Sequence, residues 1–172
     1  MEGANLRILT RTGIIVALTL ILQSLRLWIP MPPQFSFAFI GVLVNACLIT
    51  AVLAVDLRAG IVTACVTPFF AYIEGMLPFL PFVVPVALGN CVYVLLAWLG
   101  RKHCLLGFSV AALGKAATLF LGFYILFAAV AFPPAMRHTL LFIMSWPQVV
   151  TGLGGTAVGF FVCRSLARSH II

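Results

Sequence analysis

Few side chains in this sequence can do chemistry, and several of them stand inside apolar segments. Lys115 lies within an apolar run that extends from about residue 105 to residue 131. Three carboxamides, Asn45, Asn90 and Gln148, stand in similar surroundings. An ammonium group and amides can bind an anion and orient it by hydrogen bonds. These residue types therefore predict ligand binding rather than catalysis.

The groups that most enzymes use are scarce and dispersed. The acidic residues are Glu2, Asp56 and Glu74. The three histidines are scattered over predicted loops and the C-terminal end, so they form neither an acid–base pair nor a metal site. Lys115 follows a glycine, but Ser109 and Ala116 occupy two positions that a phosphate-binding loop requires as glycine and hydroxyl residue. We therefore expect no enzyme activity, no ATPase of its own, no metal and no cofactor.

The elements that must position these groups are membrane helices. Of the 172 residues, 64% are hydrophobic and 8% are charged, and the mean hydropathy is +1.24. Continuous apolar runs of this kind favour helices of roughly 20 residues over the alternating strands of a barrel. We predict an all-α integral membrane protein, a single domain over residues 1–172 with a bundle of six transmembrane helices. The predicted spans are 13–29, 37–55, 59–77, 82–99, 105–131 and 139–163.

The lysines and arginines predict the orientation of this bundle. If the N terminus is cytoplasmic, seven basic residues fall on the inner side, Arg26 and Arg137 fall outside, and Lys115 lies within a span. Both termini are then cytoplasmic. The net charge of +7 is explained by this orientation and by contact with anionic membrane lipid, and nucleic acid is not an expected partner.

The helical rise places the polar residues of the spans at a common depth. Asn45, Asn90 and Gln148 come out about 12 to 14 Å below the outer surface, and Lys115 about 15 Å above the inner edge. Each amide alone is as well explained by a hydrogen bond between helices. The shared depth favours a pocket instead, because a small-molecule site combines apolar walls with a few convergent polar groups.

Four further residues are candidates for the same site. Tyr93 lies one turn beyond the amide of the fourth span and Trp146 two residues before that of the sixth, so both are candidate aromatic walls or simple packing residues. Glu74 and Arg26 stand near the outer ends of the third and first spans. We expect Glu74 to pair with Arg26 or with an amine of the substrate.

Lys115 itself has two interpretations. A charge at the centre of a span costs about 2.5 to 3.5 kcal/mol on insertion scales, and such residues usually mark substrate paths or paired sites. An anionic ligand would recover much of that cost. Alternatively, the true span begins near Val110, and the lysine extends to the inner headgroups.

Loops and glycines supply two further predictions. The outer loops 30–39, 75–81 and 132–138 are apolar and rich in proline, so they are either lids over a pocket or interfacial anchors. Gly13 and Ala17 have a spacing that lets two helices approach closely, and Gly155 and Gly159 repeat it. Such a pair either packs inside the bundle or docks on another protein.

In two segments the chain resembles the substrate-binding S components of energy-coupling-factor transporters, small membrane proteins that capture vitamins for bacteria. These are AYIEGMLPFLPFVVPVALGN, residues 71–90, and TGIIVALTL, residues 12–20. The six spans, the cytoplasmic termini and the missing nucleotide site extend the resemblance over nearly the whole chain. The first helix of that family typically carries Ala-x-x-x-Ala for docking, and Gly13 and Ala17 occupy that spacing here.

The resemblance implies a mechanism and a location. An S component of the bacterial cell membrane binds its nutrient from outside, mainly with its fourth to sixth helices, and is capped by its outer loops. It then topples in the membrane while docked to a transmembrane coupling subunit that two ATPase subunits drive. Those helices contain five of the candidate residues: Asn90, Tyr93, Lys115, Trp146 and Gln148. The nutrient itself is not identified.

We therefore expect a binding subunit for a small, anionic, vitamin-like nutrient, with the anion held by Lys115. Two other functions stay open. One is a structural or assembly subunit, in which the polar residues only join helices. The other is a transporter or channel that works without partners.

Overall fold

The computed structural model describes residues 2–169, except for the side chains of residues 2–4, 33–34 and 103–105. Throughout the described part the secondary structure is helical, without strands. This confirms the predicted all-α class. The helices are α1 (Glu2–Trp28), α2 (Pro33–Ala54), α3 (Leu57–Ile73), α4 (Val83–Gly100), α5 (Cys104–Ala129), α6 (Pro134–Ile143) and α7 (Trp146–Arg168), with single 3₁₀ turns at Leu80–Phe82 and Arg101–His103.

Several of these helices can cross a membrane. Five helical segments of the described part are long and apolar enough: Asn5–Trp28, Phe35–Ala54, Leu80–Gly100, Leu106–Ala129 and Pro134–Arg168. The apolar helix α3 has 17 residues and is shorter than each of these five segments. Length and composition together indicate a multi-pass membrane protein.

The sixth predicted span, 139–163, is divided between two helices within one candidate membrane-spanning segment, Pro134–Arg168. The structure ends α6 at Ile143 and begins α7 at Trp146. Pro147, in the first turn of α7, explains the break, since proline lacks the N–H that would continue a helix and its ring crowds the preceding turn. Gln148 consequently lies in the first turn of α7.

The helices pack around α2, which contacts α1, α3, α4 and α7, while α4 and α5 form a close pair. The buried apolar residues form two clusters. One contains Leu48 and Ile49 of α2, with residues 93–97 of α4 and 108–112 of α5. The other contains Phe82, Leu119 and Phe123, with residues of the α6 end. Along both α4 and α5, the polar residues of the predicted level fall between the two clusters.

The two glycine pairs have different surroundings. A Cβ atom on Gly155 would lie 2.2 Å from Cβ of Asn45, so this glycine lets α7 approach α2 closely. Gly159 continues the same contact against Ala46 and Ile49. This pair therefore packs within the bundle.

At the other end of the chain, Gly13 and Ala17 are both exposed on α1. A Cβ atom on Gly13 would have no neighbour within 4 Å. This pair therefore does not pack within the bundle, and its surface is free to contact another protein or lipid.

Candidate ligand-binding site

A cavity of about 240 Å³ lies in the middle of the bundle. Most of its wall is apolar, with contributions from all helices from α1 to α7 and from the loop that follows α3. The structure thus brings together the four residues that share a predicted depth, and it adds two more. The polar side chains of the lining are Gln23, Asn45, Thr67, Asn90, Lys115 and Gln148.

Lys115 is buried in this wall, with 5% of its surface exposed. Its Nζ donates a hydrogen bond to Oδ1 of Asn45 at 2.5 Å and lies 5.3 Å from the ring centroid of Tyr93, within the range of a cation–π contact. These contacts hold the ammonium inside the bundle, so the structure contradicts the interpretation in which the lysine extends to the inner headgroups.

The charge of Lys115 has only neutral partners among the described side chains. One is the Asn45 oxygen and the other is the Tyr93 ring. A buried cation without a counter-charge is costly, and an anion bound beside it would offset much of that cost. The cavity next to Lys115 is therefore suited to a carboxylate or a similar group.

Asn45 is placed at this point by the contact of α2 with α7. It is 1% exposed, and its Cβ sits against the backbone of Gly155. Because no side chain separates the two helices there, Asn45 has little freedom to move. From this position its Oδ1 accepts the hydrogen bond from Nζ of Lys115.

Asn90 lines the cavity from α4 and is 3% exposed. Its Nδ2 is 3.5 Å from Oγ1 of Thr67, which is a long hydrogen bond, and its Oδ1 is buried without a partner among the described residues. An unpaired buried acceptor typically costs about 1 to 3 kcal/mol. A ligand that carries an N–H or O–H group could satisfy it.

Two glutamines complete the polar lining. Gln148 donates to Sδ of Met144 at 3.6 Å, and a thioether is a weak acceptor. Gln23 donates to the carbonyl of Thr67 at 3.3 Å. The sequence reasoning missed Gln23, a lone amide of the first predicted span, because the helical rise places it about 9 Å below the outer surface and so above the level of the other three amides.

The end of α3 determines how Glu74 and Arg26 meet. Gly75 adopts a φ of 72°, and the N–H of Met76 bonds the carbonyl of Ala71 at 2.8 Å, which closes the helix with a Schellman turn. Nη2 of Arg26 donates to the backbone carbonyl of Glu74 that this turn presents. The two residues therefore meet, but through the main chain.

The carboxylate of Glu74 has other partners. It accepts hydrogen bonds from Oγ of Ser24 and, at 3.5 Å, from Nε2 of Gln23. Glu74 is not part of the described lining of the cavity, and it joins α3 to α1. The structure thus gives it a packing role at the cavity's edge.

The two predicted aromatic walls are also separated. Tyr93 lies behind Lys115, fully buried, and its hydroxyl bonds the carbonyl of Gly152 and Oγ1 of Thr156, both at 2.7 Å. Trp146 is 59% exposed at the start of α7 and packs edge-on against Phe142. Neither ring belongs to the described lining of the central cavity.

Trp146 and Arg26 line a second, larger cavity of about 810 Å³. It lies between the end of α1, the start of α2 and the junction of α6 with α7. We call the central cavity the inner cavity and this one the outer cavity. Residues common to both linings are Phe37, Met76 and Ile143.

Of the three proline-rich segments, 30–39 and 75–81 contribute to the described lining of the inner cavity, and 132–138 does not. Met76, Leu77 and Pro78 line it from the loop after α3, and Leu140 and Met144 line it from α6 and its end.

Within the described residues, no group of three or more His, Cys, Asp or Glu side chains is placed to hold a metal ion. No family model matches the sequence, and neither a curated protein nor a solved structure matches the chain.

Proposed function

We propose that this chain is the substrate-binding subunit of an energy-coupling-factor type importer in a bacterial cell membrane. It captures a small, anionic, water-soluble nutrient of the vitamin type from outside. The observation that carries the proposal is Lys115, a lysine buried in the wall of a central cavity, whose Nζ contacts only neutral groups among the described side chains.

The lining supports a ligand with three features. A carboxylate would lie against Lys115 and displace or share its bond with Asn45. A donor group would reach the unpaired Oδ1 of Asn90. The apolar body would contact side chains such as Ile40 and Leu119. A volume of about 240 Å³ is below the roughly 300 to 1,000 Å³ of pockets for drug-sized molecules, which favours a compact nutrient.

Delivery across the membrane needs partners in this proposal. The exposed Gly13 and Ala17 surface of α1 would dock on a transmembrane coupling subunit, which two ATPase subunits drive. The bundle would have six spans, with α6 and α7 together forming the last, and both termini in the cytoplasm. Transport is then expected only when the ATPase module is present.

Purified protein tests the proposal directly. Native mass spectrometry identifies any small molecule that copurifies, and a panel of carboxylated vitamins is screened for a rise in melting temperature. Replacing Lys115 with alanine should weaken binding of the identified ligand at least tenfold, which corresponds to about 1.4 kcal/mol. Lys102→Ala is the matched control, because this exposed lysine of the Arg101–His103 turn lines neither cavity in the described structure.

Two results would contradict the proposal. If the panel produces no shift and nothing copurifies, the polar residues join helices and the chain is a structural or assembly subunit. The bonds from Lys115 to Asn45 and from Tyr93 to Thr156 would then be its interhelical contacts. Uptake into liposomes that hold this chain alone would instead indicate a self-sufficient transporter.

A further inference from the structure

The inner and outer cavities share a wall. Phe37 of α2, Met76 of the loop after α3 and Ile143 at the end of α6 contribute to both linings. Three apolar side chains from three separate segments therefore border both spaces. Methionine is unbranched and flexible, so this wall can open by side-chain rotation without a movement of helices.

Each cavity has one charged residue in its described lining, and both charges are positive. Lys115 belongs to the inner cavity and Arg26 to the outer one. The guanidinium of Arg26 bonds the Glu74 carbonyl through Nη2, while its Nε is buried without a hydrogen-bond partner among the described residues. The rest of the outer lining is neutral, with hydroxyls at Ser36, Thr139 and Thr151.

We propose that the outer cavity is an entrance chamber for anions, in which Arg26 attracts the anionic group of the ligand before it passes the shared wall to Lys115. The inference rests on the proposed function and adds to it a second binding station and a route. A cleft with low-dielectric walls and one sign of charge raises the local concentration of the opposite ion and its rate of association. Arg26 therefore acts mainly on the rate of arrival, and Lys115 on the affinity of the bound state.

A reporter cysteine in the inner cavity tests this route without any nutrient. Val86 lines the inner cavity and not the outer one in the described structure, and cysteine is close to it in size, so Val86→Cys is introduced into the full chain. The protein is placed in nanodiscs of phosphatidylcholine. It is treated with two thiosulfonate reagents of similar size, anionic sulfonatoethyl methanethiosulfonate and cationic trimethylammonioethyl methanethiosulfonate. Peptide mass spectrometry then measures the modification rate of residue 86 alone.

The measured quantity is the rate of modification by the anionic reagent divided by the rate of modification by the cationic reagent. Because both reagents attack the same thiol, differences in its intrinsic reactivity between variants cancel in this ratio. Arg26→Gln should lower this ratio by about threefold or more, because the anion loses an attraction and the cation loses a repulsion. Arg26→Lys keeps the charge and should preserve the ratio. Arg137→Gln removes the same charge from α6, outside both described linings, and should leave the ratio unchanged.

Three results would overturn the proposal. The first is a ratio that Arg26→Gln does not change, and the second is an equal fall in Arg26→Gln and Arg137→Gln. The third is an effect of Arg26 that disappears when the nanodiscs contain phosphatidylglycerol, because an anionic lipid headgroup would then occupy the arginine. Since the assay contains no nutrient, its failure leaves the vitamin panel intact, and a failed panel leaves this assay readable.

Discussion

Alanine at Gly155 is expected to separate α7 from α2 and to disturb the inner cavity. The added Cβ would lie 2.2 Å from Cβ of Asn45, 3.0 Å from its carbonyl carbon and 3.0 Å from the backbone nitrogen of Ala46. None of these atoms can move aside by rotation of a side chain. Carbon atoms are in favourable contact at roughly 3.5 to 4.0 Å, so the helices must part by about an ångström.

Overpacking of this kind usually costs about 1 to 3 kcal/mol. For a chain of this length, 1 kcal/mol shifts the melting temperature by about 2 to 4 °C, so Gly155→Ala should melt roughly 2 to 12 °C below Gly13→Ala, in which the added methyl group meets no neighbour. The shift of α7 also carries Thr156 away from Tyr93, and the shift of α2 disturbs the bond from Asn45 to Lys115. Ligand affinity should therefore fall together with stability.

Gly13→Ala is the matched control, since an added Cβ there meets nothing within 4 Å. Both variants replace a helical glycine with alanine, which stabilises an exposed helix by about 1 kcal/mol. This gain is therefore similar in the two variants. The assay is thermal unfolding in detergent, followed by intrinsic tryptophan fluorescence. If the melting temperature of Gly155→Ala is equal to or above that of Gly13→Ala, the close contact of α7 with Asn45 is refuted.

Two further variants separate stability, binding and docking. Tyr93→Phe removes the hydroxyl bonds to Gly152 and Thr156 and keeps the ring beside Lys115. The melting temperature should therefore fall by an amount equivalent to about 1 kcal/mol, while ligand affinity changes less than threefold. A tenfold loss of affinity would show that the hydroxyl contacts the ligand. Leucine at both Gly13 and Ala17 should abolish transport by the assembled importer and leave ligand affinity unchanged, because both residues are exposed on α1. If ligand affinity is lost as well, this surface supports the bundle.

The helices were predictable because hydropathy is a local property. Apolar runs of about 20 residues indicate membrane helices wherever they occur, and the predicted second to fifth spans overlap α2 to α5 closely, whereas α1 begins at Glu2 and not at residue 13. The break between α6 and α7 falls at residues 144–145, beside Pro147 and Gln148, and this short interruption is concealed when hydropathy is averaged over about 20 residues. The effect of Pro147 is on the backbone, where it ends one helix and begins another.

The common depth of Asn45, Asn90 and Lys115 was also open to calculation, since a helix advances by a constant rise. Depth does not specify the direction in which a side chain points around the helix axis. Tyr93 was predicted as a wall because it lies one turn beyond Asn90, but the structure places its ring beside Lys115 and outside the described lining of the inner cavity.

By itself, the sequence determined that the chain is built of apolar helices and that a few polar groups stand at one level within them. Only the tertiary structure decided which of these groups share a cavity. Lys115 bonds Asn45, which packs closely against Gly155 of α7. The carboxylate of Glu74 bonds Ser24 and Gln23, while Arg26 bonds the backbone carbonyl of Glu74. Such pairings depend on helix rotation and close contact between distant segments, and no local pattern encodes them.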